Sequence, residues 1–69
     1  MRAITVTDFE LDGVRYHITL GFYDEEKEFY TAEWWGENDR KKCSLGYGVG
    51  SAQEAELLAV KMIQKSANP

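Results

Sequence analysis

The sequence predicts an α+β fold: an antiparallel sheet of three to four strands, in the order β-β-β-(β)-α, with one C-terminal helix packed on one face. Three observations support it. An Asp12-Gly13 pair separates two alternating segments, apolar side chains alternate strictly over residues 14–23, and a helix-capping motif begins at Ser51. A chain of 69 residues can bury one small core, so we expect a single small domain over residues 1–69.

The first hairpin follows from its turn. Asp12 and Gly13 tolerate the positive φ angles of a two-residue type I′ turn, which fixes the strand register. The expected opposing pairs are Leu11–Val14, Glu10–Arg15, Phe9–Tyr16 and Asp8–His17. In this register Ile4 and Val6 lie on the outer side of the sheet, so either a bulge re-aims them or the outer face is partly apolar.

The second and third strands share an apolar face. In the second strand that face consists of Val14, Tyr16, Ile18, Leu20 and Phe22. The segment "EFYTAEWWG" follows the polar turn "DEEK" and predicts the third strand. A three- or five-residue loop aligns Trp34 with Ile18, whereas a four-residue loop would bury Glu33. We therefore expect Trp34 in the core and Trp35 on the outer face, opposite His17.

The fourth strand is expected to be short and to cover residues 43–49. Its larger side chains alternate with serine and glycine, which lets Trp35 or Tyr23 lie close against the small positions. We interpret the basic run 40–42 as a solvated loop and Cys43 as a buried small hydrophobe. Glycines before a helix can also cradle a phosphate, but the Lys-Ser/Thr of a phosphate loop is missing and carboxylates lie nearby.

Ser51 and Glu54 form an S-x-x-E capping box, which predicts a helix from Ser51 to about Lys65. One stripe of this helix is apolar and is expected to pack on the sheet. It consists of Ala52, Ala55, Leu58, Ala59, Met62 and Ile63. Leu57 lies roughly opposite this stripe and should be exposed.

Composition restricts the function classes. A net charge of −4 and a pI near 4.8 argue against a nucleic-acid surface, which requires clustered lysine and arginine. A single cysteine provides neither a disulfide nor a cysteine-based zinc site. No segment is apolar and long enough to cross a membrane, and the N-terminus lacks a signal-peptide core. We expect a cytoplasmic protein without a cofactor.

The residues suited to catalysis are few. His17 is the single histidine, and its expected neighbours Asp8, Glu10, Arg15 and Glu33 are typical of a solvated sheet face. No serine or cysteine nucleophile is placed beside it by a motif. We therefore predict no catalytic residue, no metal site, including one built from His17, Asp8 and Glu33, and no enzyme activity.

Exposed apolar side chains suggest association instead. Trp35 on the outer sheet face and Leu57 on the helix add more apolar surface than one helix on one sheet can cover. With His17 and Glu33 they form the hypothetical partner-binding set, for a protein partner or a homodimer. The alternative is a small ligand-binding protein or enzyme that uses the His17 and Trp35 sheet face.

The segments "FYTAEWW" and "CSLGYGVGSAQEAELLAVKMI" resemble the small HicB-like antitoxin domain. That family has an aromatic-x-Ala strand and a Gly-x-Thr-x-x-Glu-Ala step into a helix. Ser51, Glu54 and Ala55 take the Thr, Glu and Ala places, and the resemblance covers about residues 14–65. It implies a noncatalytic, antitoxin-like protein that binds a small basic partner.

The same half of the chain is similar to the β-β-β-α part of a double-stranded-RNA-binding domain. That family places lysines at the start of the helix to hold phosphates. Here Ala52, Gln53 and Glu56 stand at those positions. We therefore expect no RNA binding by that route.

Overall fold

The computed structural model describes residues 2–67 and confirms the α+β class. Four strands precede one helix: β1 (Arg2–Leu11), β2 (Val14–Asp24), β3 (Phe29–Gly36), β4 (Asp39–Ser44) and α1 (Ala52–Ala67). The strands form one antiparallel sheet in the order β1-β2-β3-β4. Each strand therefore pairs with its neighbours in sequence, and the helix returns across the sheet.

The β1–β2 turn has the predicted chemistry. Asp12 and Gly13 have φ angles of 52° and 80°, the positive values that a type I′ turn requires. All four predicted pairs of this hairpin are present, including Asp8 opposite His17. Local turn chemistry therefore determines which side chains of β1 face the core.

Further from the turn, β1 contains a bulge between Ala3 and Thr5. The bulge does not bury the two apolar side chains beside it, because Ile4 is 48% exposed and Val6 is 62% exposed. The second alternative is therefore the correct one: β1 has a bulge, but its outer side is partly apolar.

The register of β2 and β3 is the predicted one. Trp34 lies opposite Ile18 and is buried, while Trp35 lies opposite His17 on the outer face. The predicted loop length was wrong, since four residues, 25–28, connect the paired residues Asp24 and Phe29. A bulge at position 23 restores the register, and this bulge keeps Glu33 out of the core.

The predicted bounds of the fourth strand were wrong. Pairing begins at Asp39, directly after the two-residue turn 37–38, and β4 ends at Ser44. The basic run 40–42 is therefore strand rather than loop, although its side chains are exposed as expected. Cys43 is exposed rather than buried.

Beyond Ser44 the chain leaves the sheet, and Gly46 has a φ of 80°, which an extended strand does not adopt. The Leu45 N–H still donates a 3.1 Å hydrogen bond to the Ala32 carbonyl of β3, and after the turn Val49 returns to β3 through an isolated antiparallel bridge with Tyr30. The two residues exchange backbone hydrogen bonds of 2.7 and 2.8 Å. The alternation over residues 43–49 therefore belongs to a short strand end and a loop.

The core lies between α1 and the inner face of β2 and β3. Its buried apolar members are Ile18, Leu20, Ala32, Trp34, Ala55, Ala59 and Ile63. Two of the helix residues are alanines, so the helix backbone approaches the sheet closely. The predicted stripe is confirmed at Ala52, Ala55, Ala59 and Ile63. Leu58 is only half-buried and does not belong to this core cluster, and Met62 is 48% exposed.

The helix begins after Ser51, the predicted cap residue, and the Ser51 half of the capping box is present. The Glu54 backbone N–H donates a 3.1 Å hydrogen bond to Ser51 Oγ, and the Ala55 N–H donates to the Ser51 carbonyl. The cap satisfies a backbone donor that would otherwise lack a partner in the first helical turn. This fixes the point at which the loop of residues 45–50 turns back over the sheet.

Candidate interaction surfaces

The outer face of the sheet, opposite α1, contains three of the four residues predicted to bind a partner. His17 pairs with Trp35, and Glu33 is placed two residues before Trp35 on the same face of β3. Leu57, the fourth, is 56% exposed on α1, on the far side of the helix from its buried alanines. Leu57 and Trp35 therefore lie on opposite sides of the molecule, and one flat partner surface cannot contact both.

His17 lies between two carboxylates. Its Nδ1 is 2.9 Å from Asp8 Oδ1, and its Nε2 is 2.7 Å from Glu37 Oε2. Asp8 was a predicted neighbour, whereas Glu37 was missed because the β3–β4 turn was not recognised. A ring that meets a carboxylate at each nitrogen donates from both, which is the hydrogen-bonding pattern of the imidazolium form.

This arrangement favours the charged ring. The hydrogen bond to Glu37 raises the pKa of His17 above its ordinary value, partial burial opposes that rise, and the interactions with Asp8 add to it. With both ring nitrogens engaged, neither has a free lone pair to ligate a metal ion or accept a substrate proton. The geometry is that of a charge-paired histidine connecting β1, β2 and the β3–β4 turn.

Trp35 is also engaged by its own chain. The centroids of the Trp35 and His17 rings are 4.4 Å apart, with a tilt of 32° between the ring planes. Arg40 Cζ lies 5.8 Å from the Trp35 ring centroid, within the range of a cation–π contact. The His17 ring and the Arg40 guanidinium thus both lie against the half-buried indole. Trp35 is accordingly less available to a partner than its position on the outer face suggested.

The rest of this face contains charges of both signs. Lys42 Nζ lies 3.6 Å from Glu33 Oε1. By register and contact, this face also contains the acidic residues Asp8, Glu10 and Glu37 and the basic residues Arg15 and Arg40, with His17 between two of the carboxylates. The outer face therefore has only a small acidic excess for the capture of a basic protein, and most of the net negative charge lies elsewhere.

Sequence reasoning missed a second surface, which we call the aromatic end: Tyr23, Phe29 and Tyr47 together with the turn of residues 24–28. The three aromatic side chains are 58%, 41% and 50% exposed, respectively. The available signal was the segment "YDEEKEF", in which aromatic residues flank an acidic turn on both sides. The bulge at Tyr23, which alternation cannot predict, accompanies this exposure.

Gly48 holds the loop against the aromatic end. A Cβ at this glycine would lie 2.7 Å from Phe29 Cβ and 2.9 Å from Tyr23 Cδ2, closer than side chains pack. The prediction that Tyr23 lies close against the small positions of this segment is therefore confirmed at Gly48, whereas no aromatic atom from beyond the adjacent residues lies within 4 Å of a Cβ built at Gly46 or Gly50. The glycine serves close packing of the loop.

At the opposite end, a groove of about 560 Å³ lies between the last turn of α1 and the two hairpin turns. Its apolar part includes Leu11, Tyr16, Trp34 and Ile63, with Cys43 at its side. Its charged lining residues, Asp12, Asp39 and Lys41, are all exposed. A groove with solvated charges and an apolar floor lacks the buried polar groups that orient a small ligand.

Within residues 2–67, no group of three or more His, Cys, Asp or Glu side chains is arranged to hold a metal ion. In the same part of the chain, no helix has the length and apolar content needed to cross a membrane. Comparison of the chain with protein-family models, with curated proteins and with solved structures gives no match.

Proposed function

We propose that this protein is a noncatalytic interaction module whose aromatic end binds a basic protein partner. The observation that supports the proposal most directly is the exposure of Tyr23, Phe29 and Tyr47 beside a strongly acidic turn. Neither property belongs to the outer sheet face, where the tryptophan is engaged and most carboxylates lie beside basic residues or His17.

The aromatic side chains supply the apolar part of such an interface. Tyrosine and phenylalanine offer large contact areas with few rotatable bonds, and aromatic anchors contribute most of the binding energy in many protein interfaces. Gly48 packs against the Tyr23 ring and the Phe29 Cβ, so the Tyr23 ring already rests on the loop and loses little freedom on binding.

The charges of the turn favour a basic partner. Residues 24–28 contain four carboxylates and one lysine. Arg2 pairs with Glu25 in an exposed contact, and the Lys27 N–H donates to Asp24 Oδ1. Glu26 and Glu28 are exposed. Carboxylates around an apolar centre attract a positively charged surface and disfavour a negatively charged one.

The resemblance to the HicB-like antitoxin domain implies the same class of partner, a small basic protein. Under this proposal the chain is antitoxin-like in that it binds and occludes such a protein. The alternative, a small ligand-binding protein or enzyme that uses the outer sheet face, would require His17 to release Asp8 or Glu37 before a ring nitrogen could act.

The test is affinity capture of the tagged protein from nuclease-treated lysate of its native source, with two charge-reversal variants. Glu26→Lys changes the aromatic end. Asp39→Lys makes the same change in net charge in the β3–β4 hairpin, at the other end of β3. We expect a stoichiometric basic protein with the wild type and with Asp39→Lys, and several-fold less with Glu26→Lys.

A second pair of variants tests the apolar part. Tyr47→Ser removes an exposed ring from the aromatic end, and Leu57→Ser removes an exposed apolar side chain from the helix. We expect Tyr47→Ser to lose the captured protein and Leu57→Ser to retain it, with both variants still folded by circular dichroism. Equal capture by all four variants, or capture of an acidic protein, would contradict the proposal.

A further inference from the structure

One edge strand of the sheet, β1, contains an exposed segment without charged residues. Residues 3–7 of β1 have the sequence AITVT, with no charge, proline or glycine. Ile4 is 48% exposed and Val6 is 62% exposed. The bulge lies at the start of the strand and leaves a continuous register from Thr5 to Leu11. An uncharged edge of this kind is a template for pairing with another strand.

The other edge is protected against such pairing. β4 has six residues, three of which are the successive basic residues at 40–42, and its register with β3 shifts between Trp34 and Gly36. Short length, positive charge and irregular register are the usual means by which proteins keep a sheet edge unpaired. Association through the sheet is therefore directed to β1.

The backbone of β1 offers hydrogen-bonding groups at defined positions. Residues that flank a two-residue hairpin turn form a hydrogen-bonded pair, and such pairs alternate with non-hydrogen-bonded ones. Counting back from Leu11 and Val14, the pairs Glu10–Arg15, Asp8–His17 and Val6–Thr19 are non-hydrogen-bonded. The N–H and C=O groups of Val6, Asp8 and Glu10 therefore point to the free edge.

We propose that β1 of this protein pairs antiparallel with β1 of a second copy, with Val6 on the two-fold axis. The two four-stranded sheets then form one continuous sheet of eight strands. A two-fold axis perpendicular to the sheet leaves both copies of α1 on the same face. This inference does not depend on the aromatic end, and it gives the exposed valine an apolar partner, Val6 of the second copy.

Like-charge repulsion selects the antiparallel direction. With Val6 on the axis, antiparallel pairing places Thr5 beside Thr7 of the second copy, within the continuous part of the register. The acidic residues Asp8 and Glu10 of the two copies then lie on opposite sides of the axis. Parallel pairing would instead place Asp8 beside Asp8 and Glu10 beside Glu10, which is destabilising.

The first test is the molar mass in solution, measured by sedimentation equilibrium from micromolar to millimolar protein. We expect a dimer for the wild type and a monomer for Val6→Lys. In that variant the lysines of the two copies would face each other across the two-fold axis, and their like charges would repel. Leu57→Lys is the matched control, since Leu57 has a similar exposed fraction, and it should remain dimeric. A monomeric wild type, or a Val6→Lys dimer, would overturn the proposal.

Cross-linking tests the register in a Cys43→Ser background. Val6→Cys should form an intermolecular disulfide on oxidation, because residues paired across the axis have Cα atoms about 5.5 Å apart. Glu10→Cys should not, because the two copies of residue 10 would lie about 26 Å apart along the strands. Equal cross-linking of both variants would show random collision and would refute the register. Glu26→Lys should leave the dimer intact, which separates this test from that of the aromatic end.

Discussion

The two edge strands of the sheet differ in length and in charge. β1 is ten residues long and has an exposed uncharged segment, whereas β4 is six residues long and has three successive basic side chains. An assembly that uses β1 consumes that edge in each copy and leaves only protected β4 edges outside. Such an arrangement stops at a closed pair, whereas two free apolar edges would allow open-ended growth.

His17 couples the two edges. Through Asp8 it contacts β1, and through Glu37 it contacts the turn that leads into β4. Both edges therefore belong to one connected sheet, and they differ in the side chains that they expose. Four measurements can break or sharpen this comparison, and they are given in order of decreasing expected effect.

Gly36 supports the turn that leads to β4. A Cβ at this position would lie 2.7 Å from Tyr16 Cε1 and 2.7 Å from Asn38 Oδ1. Because the tyrosine ring must move, Gly36→Ala should cost about 1–3 kcal/mol in the free energy of unfolding, measured in urea. Gly50→Ala is the control, since its nearest neighbour is 3.9 Å away. Equal costs for the two variants would show that the contact at Gly36 relaxes freely.

Gly13 supports the turn that leads to β1. The space around it is open, but its φ of 80° disfavours a side chain, so Gly13→Ala should cost about 1–2 kcal/mol. Gly13→Asn should cost less, because asparagine tolerates the left-handed region. Urea unfolding of the two variants provides the measurement. If alanine and asparagine cost the same, backbone strain is not the cause.

The contacts of His17 predict a pH dependence. The folded-state pKa of His17 is raised above the ordinary value of 6.5. The contribution of protonated His17 to the free energy of unfolding is therefore complete below pH 6.5 and is lost as the pH rises through the folded-state pKa. We expect wild-type stability to fall with rising pH across this window and His17→Gln to lack this component. Urea unfolding between pH 6 and 9 measures it, and parallel profiles for the two proteins would contradict it.

The Lys42–Glu33 pair should have the smallest effect. Its side chains are 66% and 29% exposed and 3.6 Å apart, so solvent screens the attraction. A double-mutant cycle with Lys42→Ala and Glu33→Ala should give a coupling below about 1 kcal/mol. A larger coupling would mean that this ion pair holds β4 to β3. We expect the backbone hydrogen bonds between β3 and β4 to hold β4 in place instead.

The two hairpins also differ in how far the sequence predicts them. Asp12-Gly13 is a local signal of one turn type, so the β1–β2 register follows from it, and the alternation of β2 then predicts the core. The Glu37-Asn38 turn has no comparable signal. The small-residue alternation after Cys43 resembled a strand more than the basic run did, which moved the predicted β4 several residues too late.

The candidate surfaces could likewise be predicted only where they depend on the first turn or on strand alternation. Asp8 was predicted beside His17 because the first turn fixes that pair, but Glu37 depends on the unrecognised second turn. The outer position of Trp35 followed from alternation, whereas its contact with Arg40 depends on where β4 begins. The aromatic end depends on the bulge at Tyr23, and a bulge interrupts the periodicity from which exposure is inferred.

The Tyr30–Val49 bridge has a consequence for the order of folding. Each strand pairs with its neighbour in sequence, so the sheet consists of contacts that close short loops, and hairpins of this kind form in about 1–10 μs. The bridge joins residues nineteen positions apart and brings the start of α1 to β3. We expect helix docking to be the slow step, so that Ala55→Gly lowers the folding rate more than Gly13→Ala does in stopped-flow refolding.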